Sequence, residues 1–379
     1  MALENLDRAE INRYQRHLVI PEIGMGGQQK LKAAKVLVVG AGGLGSPVLL
    51  YLAAAGIGTL GIADGDTVSE SNLQRQILFT TADVGKSKAF LAEQRLLALN
   101  PFTRIVVLNE AVTKENVLEV IAPYDIIVDA TDNFLTRYLL NDACVLAGKP
   151  LVYGSIYRFE GQVSVFNAIA KEGDRSPHYR DLYPVPGASP NCAESGVIGV
   201  LPGIVGSMQA NEVIKLVTGV GETLAGRLLL YDALTAESRI IRYRKNPKVA
   251  AITELKVEAD ASCLVDEKVN DEKNMKEITV EQLKELRDSG ADFQLIDVRE
   301  PHEFEIANLG GELIPLGQVD VQKDKISKDK QVVIHCRSGA RSGNAVTFLE
   351  QKYGYNNLYN LKGGILAWSD QIDPTVPKY

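Results

Sequence analysis

From Val36 to Ala63 the chain runs 28 residues without a charged side chain, yet that stretch holds seven glycines and Pro47. By length alone it could cross a bilayer, which takes about 20 consecutive apolar residues as a helix. Glycines and a proline in that number break a single helix. The run divides instead into a β-rich piece, a Gly-rich turn, a helix-like piece and a second β-rich piece. A buried strand–turn–helix–strand unit is expected. The opening MALENLDRAEINRYQRH is polar and mixed in charge, unlike a signal peptide. No membrane partner and a cytoplasmic location are expected.

Strand patterns at 35–39, 60–63, 105–108, 125–129 and 150–153 alternate with helical ones, such as 85–99. This alternation predicts a doubly wound parallel sheet. GQVSVFN and RLLLYDAL read as further strands, 203–219 as a buried helix, and 173–190 as a Pro-rich, weakly patterned loop. The polar, charged segment 254–276 reads as a linker between a domain at 1–253 and a second α/β unit at 277–379. In that unit a helix is expected at 279–289, strands at 294–298 and 332–335, and a helix after Gly339. A net charge of -7 opposes nucleic acid as a partner. Four cysteines in 379 residues make no disulfide framework and fit a reducing compartment. Cys144 lies in a helical pattern and reads as core; Cys263 lies in the linker.

Gly40, Gly42 and Gly45 have G-x-G-x-x-G spacing between a strand and a helix, so a phosphate can approach the backbone at a helix N-terminus. Asp64 ends the next strand, where an acidic residue can bind ribose hydroxyls. These features alone fit any dinucleotide-binding fold. The following residues narrow the choice: Asp66, the run Ser71-Asn72-Leu73-Gln74-Arg75-Gln76, Lys88, and Asp132-Asn133 after another strand. Cations beside carboxylates at strand ends suit a metal-bound nucleoside triphosphate, with Arg and Lys on phosphates and Asp on Mg²⁺.

RYQRH, GAGGLGSP, DGDTVSESNLQRQ, DATDN and NCAESGVIGVLPG together resemble the MoeB/ThiF family of ubiquitin-activating-type adenylyltransferases over about residues 5–248. The resemblance implies a Rossmann-like ATP-binding domain with a mixed sheet extension, working as a homodimer with ATP and Mg²⁺. Its implied activity is adenylation of the C-terminal glycine of a small ubiquitin-like sulfur carrier. By resemblance Gly43 lies against the nucleotide, Asp64 on ribose, and Asn72, Arg75 and Lys88 on phosphates. Asp132 takes Mg²⁺ with Asn133 beside it, and Arg16 reaches in from the other protomer. Cys192, in PNCAESG, matches a cysteine that bonds to the carrier or resolves a persulfide in sulfur-transferring relatives. A small buried apolar role for it stays open. Many members bind structural zinc through two CxxC pairs. Here those positions read His178-Tyr179-Arg180-Asp181 and Val249 with Ile252, and two apolar residues cannot complete a tetrahedral site. No structural zinc is expected.

VVIHCRSGARSGNA sets Cys336 between an apolar strand and a helix. The amides of Arg337, Ser338, Gly339, Ala340 and Arg341 are expected to curl around the sulfur, with the helix dipole and two arginines favouring its thiolate. Four residues separate Cys336 from Arg341, one fewer than in a tyrosine-phosphatase-type loop, and the smaller loop fits a persulfide. LIDVREPHEFEIANLGGELIP, HCRSGARS and LKGGILAWSDQIDPTVPKY resemble a rhodanese domain over about residues 277–379. The resemblance implies a persulfide on Cys336, fed by a cysteine desulfurase or thiosulfate, and a structural role for Asp297, Arg299 and Glu300. His335 reads as a space-filling strand end and Trp368 as core. The fused order is similar to MoeZ-like and molybdopterin-synthase-sulfurylase-like proteins. Molybdopterin, thiamine, tRNA thiolation and cysteine routes use carriers too alike to separate by sequence. Two other classes stay open: a scaffold with a degraded adenylation site, and a Rossmann NAD-dependent oxidoreductase.

Overall fold

A computed structural model describes residues 5–169, 173–184, 196–255 and 275–378. The chain forms two compact units, Met1–Lys268 and Val269–Tyr379. The strands of the first are β1 (Lys35–Val39), β2 (Thr59–Ala63), β3 (Arg104–Leu108), β4 (Ile126–Asp129), β5 (Leu151–Tyr157), β6 (Glu160–Phe166), β7 (Arg227–Asp232) and β8 (Glu237–Arg242). They form one sheet in the order β3-β2-β1-β4-β5-β6-β7-β8. The β1–β5 pairs are parallel, and β6, β7 and β8 extend the sheet antiparallel.

β1 shows why this run is so apolar. Val36 and Val38 enter the core on one face, Leu37 and Val39 the core on the other, and all four are buried. A strand covered on both faces needs apolar residues at every position. Helices Gly45–Ala55, Lys88–Leu99 and Leu201–Thr218 cover the first face, and Val117–Ile121 and Phe134–Leu146 the second. The uncharged run is therefore β1, its turn, a buried helix and β2. Among the described residues no helix is long and apolar enough to cross a membrane.

Strand order reverses at β1, which lies between β2 and β4. In open α/β sheets ligands bind in the crevice at the carboxyl ends of strands beside such a switch point. The Gly-rich turn follows β1, Asp64 follows β2, and Asp132 follows β4.

The second unit has strands β9 (Glu277–Ile278), β10 (Phe293–Asp297), β11 (Glu312–Leu313), β12 (Gln331–His335) and β13 (Leu358–Leu361). They form an all-parallel sheet ordered β11-β10-β12-β13-β9. Helix Ala340–Tyr353 covers one face; helices Val280–Asp288 and Gly364–Gln371 cover the other, where Trp368 is core. Cys336 leaves the central strand β12. Both expected α/β architectures are present.

Candidate active sites

Gly40 leaves β1 with φ +93°, and a Cβ there would stand 2.7 Å from the Ala130 carbonyl oxygen beyond β4. At Gly45, the first residue of its helix, a Cβ would meet the Gly40 carbonyl oxygen at 1.9 Å. Only glycine lets the turn close on itself and on β4 in this way. A Cβ at Gly42 would lie 3.4 Å from Gln76 Nε2; one at Gly43 would lie 3.2 Å from Pro202 and 3.5 Å from Arg75 Cγ. The 71–76 segment and the start of helix Leu201–Thr218 therefore lie against the turn.

Charged groups gather at the same strand ends. Asp64 accepts the Ala41 N–H at 2.7 Å and the Asp66 N–H at 2.8 Å. Burial pushes its carboxyl above the usual carboxylate range. The Lys88 ammonium meets the mostly exposed Asp66 carboxylate at 2.9 Å. Lys88 is only 5% exposed and opens helix Lys88–Leu99, where the helix dipole disfavours a cation. Arg75 is half-buried and donates to the Ser71 carbonyl at 3.0 Å. Asn72 and Leu73 are half-buried, Ser71 and Gln74 exposed. Gln76 is buried, and its Oε1 has no hydrogen-bond partner.

Asp132 is exposed, whereas Asn133 is committed to its own helix: Oδ1 accepts the Leu135 N–H at 2.8 Å and caps Phe134–Leu146. Sequence reasoning missed what fixes this turn. Arg137 donates to the Thr131 carbonyl at 3.1 Å and to the buried Asp129 carboxylate at 3.3 Å. Asp129 in turn accepts from the Thr131 amide and hydroxyl. The D-x-x-x-x-x-x-x-R spacing of 129 and 137 was the available signal, but a carboxylate ending a strand and an arginine one turn into a helix face each other only once the fold is known.

Arg16 is exposed and is not brought to this crevice by its own chain. Its neighbour Tyr14 packs against Gly56, and His17 bonds Gln28, which donates to the Ala55 carbonyl. Gly56 lies at the far end of helix Gly45–Ala55, about 16 Å from the Gly-rich turn at 1.5 Å per residue.

The segment at 178–181 is held by ions of the protein itself. Tyr179–Leu182 is a short helix whose Arg180 forks onto Asp142 at 2.8 and 2.7 Å. Asp181 accepts the His178 and Asn246 N–H groups at 2.8 Å, drawing in the chain that leads to Val249 and Ile252. A 230 Å³ cavity lined by Arg180, Asp142 and residues 248–252 lies at this junction. Among the described residues no three His, Cys, Asp or Glu side chains cluster as a metal site. Cys192 and Cys263 lie outside the described residues.

Cys336 is buried at 1% exposure, and the Gly339 N–H donates to its sulfur at 3.2 Å. Ser338 and Ala340 complete the turn, with Arg337 half-buried. Arg341 does not offer its charge to the sulfur alone: it forks onto Glu303 at 2.6 and 2.7 Å. Burial pushes the Glu303 carboxyl up, and the bonds from Arg341, which outweigh this, leave it below the usual range. Arg299 is fully buried against Asp297, with Nε at 2.8 Å from Oδ1, and also donates to the Ala307 carbonyl. The acidic signature thus braces the segment that grips Arg341, while Glu300 starts helix Pro301–Ile306. His335 is fully buried, neither ring nitrogen has a hydrogen-bond partner, and burial lowers its pKa to about 4.

Residues 14–251 match the ThiF family and residues 279–371 the rhodanese-like domain. The chain is 48% identical to the probable adenylyltransferase/sulfurtransferase MoeZ of Mycobacterium tuberculosis, covering 99% of this chain and 96% of that protein. It is 54% identical to the sulfur carrier protein adenylyltransferase of Thermus thermophilus, over 64% of this chain and 90% of that one. The crystal structure of Escherichia coli MccB shares the fold at 21% identity, with a TM-score of 0.55 over 67% of this chain and 74% of that one. With a glycine turn, its carboxylates and cations at one switch point and a cysteine loop in a second parallel unit, the chain belongs to the ThiF family and carries a C-terminal rhodanese-like domain.

Proposed function

We propose that this protein adenylates the C-terminal glycine of a ubiquitin-like sulfur-carrier protein and then converts it to a thiocarboxylate with sulfur carried on Cys336. One observation supports both halves: a glycine turn with Arg75 and the Lys88–Asp66 pair at the neighbouring strand ends, and a cysteine whose sulfur accepts the Gly339 N–H, occur on the same chain.

ATP fits the first site because a side chain at Gly42 or Gly43 would fill its cradle, and because a buried lysine at a helix N-terminus gains from an anion. Asp64 would hold the ribose. Arg75 and Lys88 would hold phosphates, with the unpaired Oε1 of Gln76 available to a ligand donor. Asp132 is the carboxylate that would hold Mg²⁺, which when bound offsets phosphate charge; one carboxylate plus phosphate oxygens is a usual magnesium environment. The carrier carboxylate forms a bond to the α-phosphorus as the bond to the β-phosphate oxygen breaks, and pyrophosphate leaves. Attacker and target are both anions, so Arg75, Lys88 and Arg16 lower the barrier by offsetting their repulsion. Arg16 would enter from the second protomer of a homodimer, since its own chain holds it at the other end of the helix.

The outer sulfur of the Cys336 persulfide then attacks the acyl carbon and AMP leaves. The acyl disulfide so formed is cleaved by a second thiol, Cys192, releasing the thiocarboxylate and leaving a Cys192–Cys336 disulfide for a dithiol reductant. A cysteine desulfurase or thiosulfate would recharge Cys336. This chemistry suits the cytoplasm. ATP–pyrophosphate exchange tests the first half: exchange that depends on a carrier ending in glycine is expected, and no exchange with any such carrier would reject it.

A further inference from the structure

Directly beneath the Cys336 loop lies a polar group that the mechanism above does not use. Ser342, in the first turn of helix Ala340–Tyr353, is fully buried. Its Oγ lies 3.4 Å from Cys336 Sγ, 2.7 Å from Asn360 Oδ1 on β13 and 3.1 Å from the Gly339 carbonyl oxygen. A hydroxyl has one hydrogen, so three acceptors compete for it. Asn360 Nδ2 lies 3.4 Å from Glu277 Oε1, an arrangement that keeps Oδ1 turned toward Ser342. Asn360 is itself only 4% exposed, so water does not readily substitute for these partners.

We propose that Ser342 is a catalytic residue of sulfur transfer, its hydroxyl hydrogen turning from Asn360 to Cys336 Sγ whenever that sulfur becomes anionic. The proposal rests on the sulfurtransferase half of the function above. Charge decides which acceptor holds the hydrogen. A thiol sulfur is a weak acceptor, and the amide oxygen keeps the bond. A thiolate is an ionised acceptor, whose hydrogen bonds are about twice as strong. The sulfur is anionic at two points. First, the Cys336 thiolate attacks the outer sulfur of thiosulfate: a new S–S bond forms, the old one breaks with its electron pair, and sulfite leaves. Second, an acceptor such as cyanide attacks the outer sulfur of the persulfide. The S–S bond then breaks toward Cys336, thiocyanate forms, and Sγ leaves as the thiolate. A donor to Sγ favours the anion in the first case and the leaving group in the second. Ser342 is closed off from solvent and cannot touch thiosulfate, so its effect belongs in kcat and not in KM.

The test is thiosulfate-to-cyanide sulfur transfer by the full chain. Ser342→Ala should lower kcat about 10- to 100-fold, the range expected for losing a hydrogen bond to an anion, with KM for thiosulfate within about two-fold. Ser342→Thr, which restores the hydroxyl, should recover most of the rate. Asn360→Asp retains the side-chain size but is the stronger acceptor, so it should hold the hydrogen away from sulfur and lower kcat as well. If Ser342→Ala does not fold, Asn360→Asp decides: a lower kcat at constant KM supports the proposal and a wild-type kcat overturns it. Ser342→Ala within about two-fold of wild-type kcat, or a loss confined to KM, also overturns it. Sulfurtransferase function itself fails in a different way, through a wild type that transfers no sulfur or a Cys336→Ser variant that still does.

Discussion

Arg180→Met probes the buried ion pair that holds the 178–181 segment. The guanidinium forks onto Asp142 at 2.8 and 2.7 Å, and the two side chains are 10% and 1% exposed. It also lies over the Tyr138 ring at 4.7 Å. Methionine fills much of the same space but leaves the Asp142 carboxylate buried with the Asn141 amide beside it and no cation. Breaking one partner of such a pair costs about 3–5 kcal/mol. For a unit of this size each kcal/mol lowers Tm by about 2–4 °C, so the transition of the first unit should fall by about 6–20 °C. Removing both charges in Asp142→Leu/Arg180→Met leaves no buried ion, and the double variant should lie within about 1–2 kcal/mol of wild type. Calorimetry of the full chain, with and without a chelator, reads all three. A chelator should leave the wild-type transition in place. The reasoning is refuted if Arg180→Met costs under about 1 kcal/mol, or if the double variant is as unstable as the single.

Asp132→Ala should lower pyrophosphate exchange by about a hundred-fold or more with Tm unchanged, because it removes an exposed carboxylate, the proposed Mg²⁺ ligand, and no core group; near-normal exchange at saturating Mg²⁺ contradicts the assignment. Arg16→Ala should be as inactive, yet mixing it with Asp132→Ala should restore part of the exchange, since a mixed dimer has one site with both residues intact. No recovery in dimers shown to exchange subunits places Arg16 in its own site. His335 gives a pH test in the second unit. Its folded pKa of about 4 lies below the ordinary 6.5, so the unfolded chain binds the proton more readily. The stability is fully present above pH 6.5 and is lost as pH falls toward 4, by up to about 3 kcal/mol. His335→Gln should flatten that slope in acid unfolding curves; identical slopes would reject it.

The parts of the fold written in short-range pattern were legible. β1 through β5 announce themselves as apolar runs because a doubly covered parallel strand has no polar side. The helix expected at 85–99 begins at Lys88 because Ser87 caps it. β5 runs on to Tyr157, past the expected 153, because it turns directly into the antiparallel β6. β8 escaped notice because all six of its residues are exposed and no alternation marks it. In the sites, residue types at strand ends could be read, but their partners could not. Arg180 and Asp142 are 38 positions apart, as are Arg341 and Glu303. The loop read as ending at Arg341 left out Ser342, because only the return of β13 beside β12 supplies Asn360.

The central claim is that one chain both activates the carrier carboxylate and supplies its sulfur. Mass spectrometry of a glycine-ending carrier after incubation with the protein, ATP, Mg²⁺, thiosulfate and a dithiol reductant measures it directly. Replacement of one carboxylate oxygen by sulfur is expected with wild type and should vanish with Cys336→Ser, which still catalyses pyrophosphate exchange. Thiocarboxylate forming at the wild-type rate with Cys336→Ser would show that another group delivers the sulfur and would contradict the account.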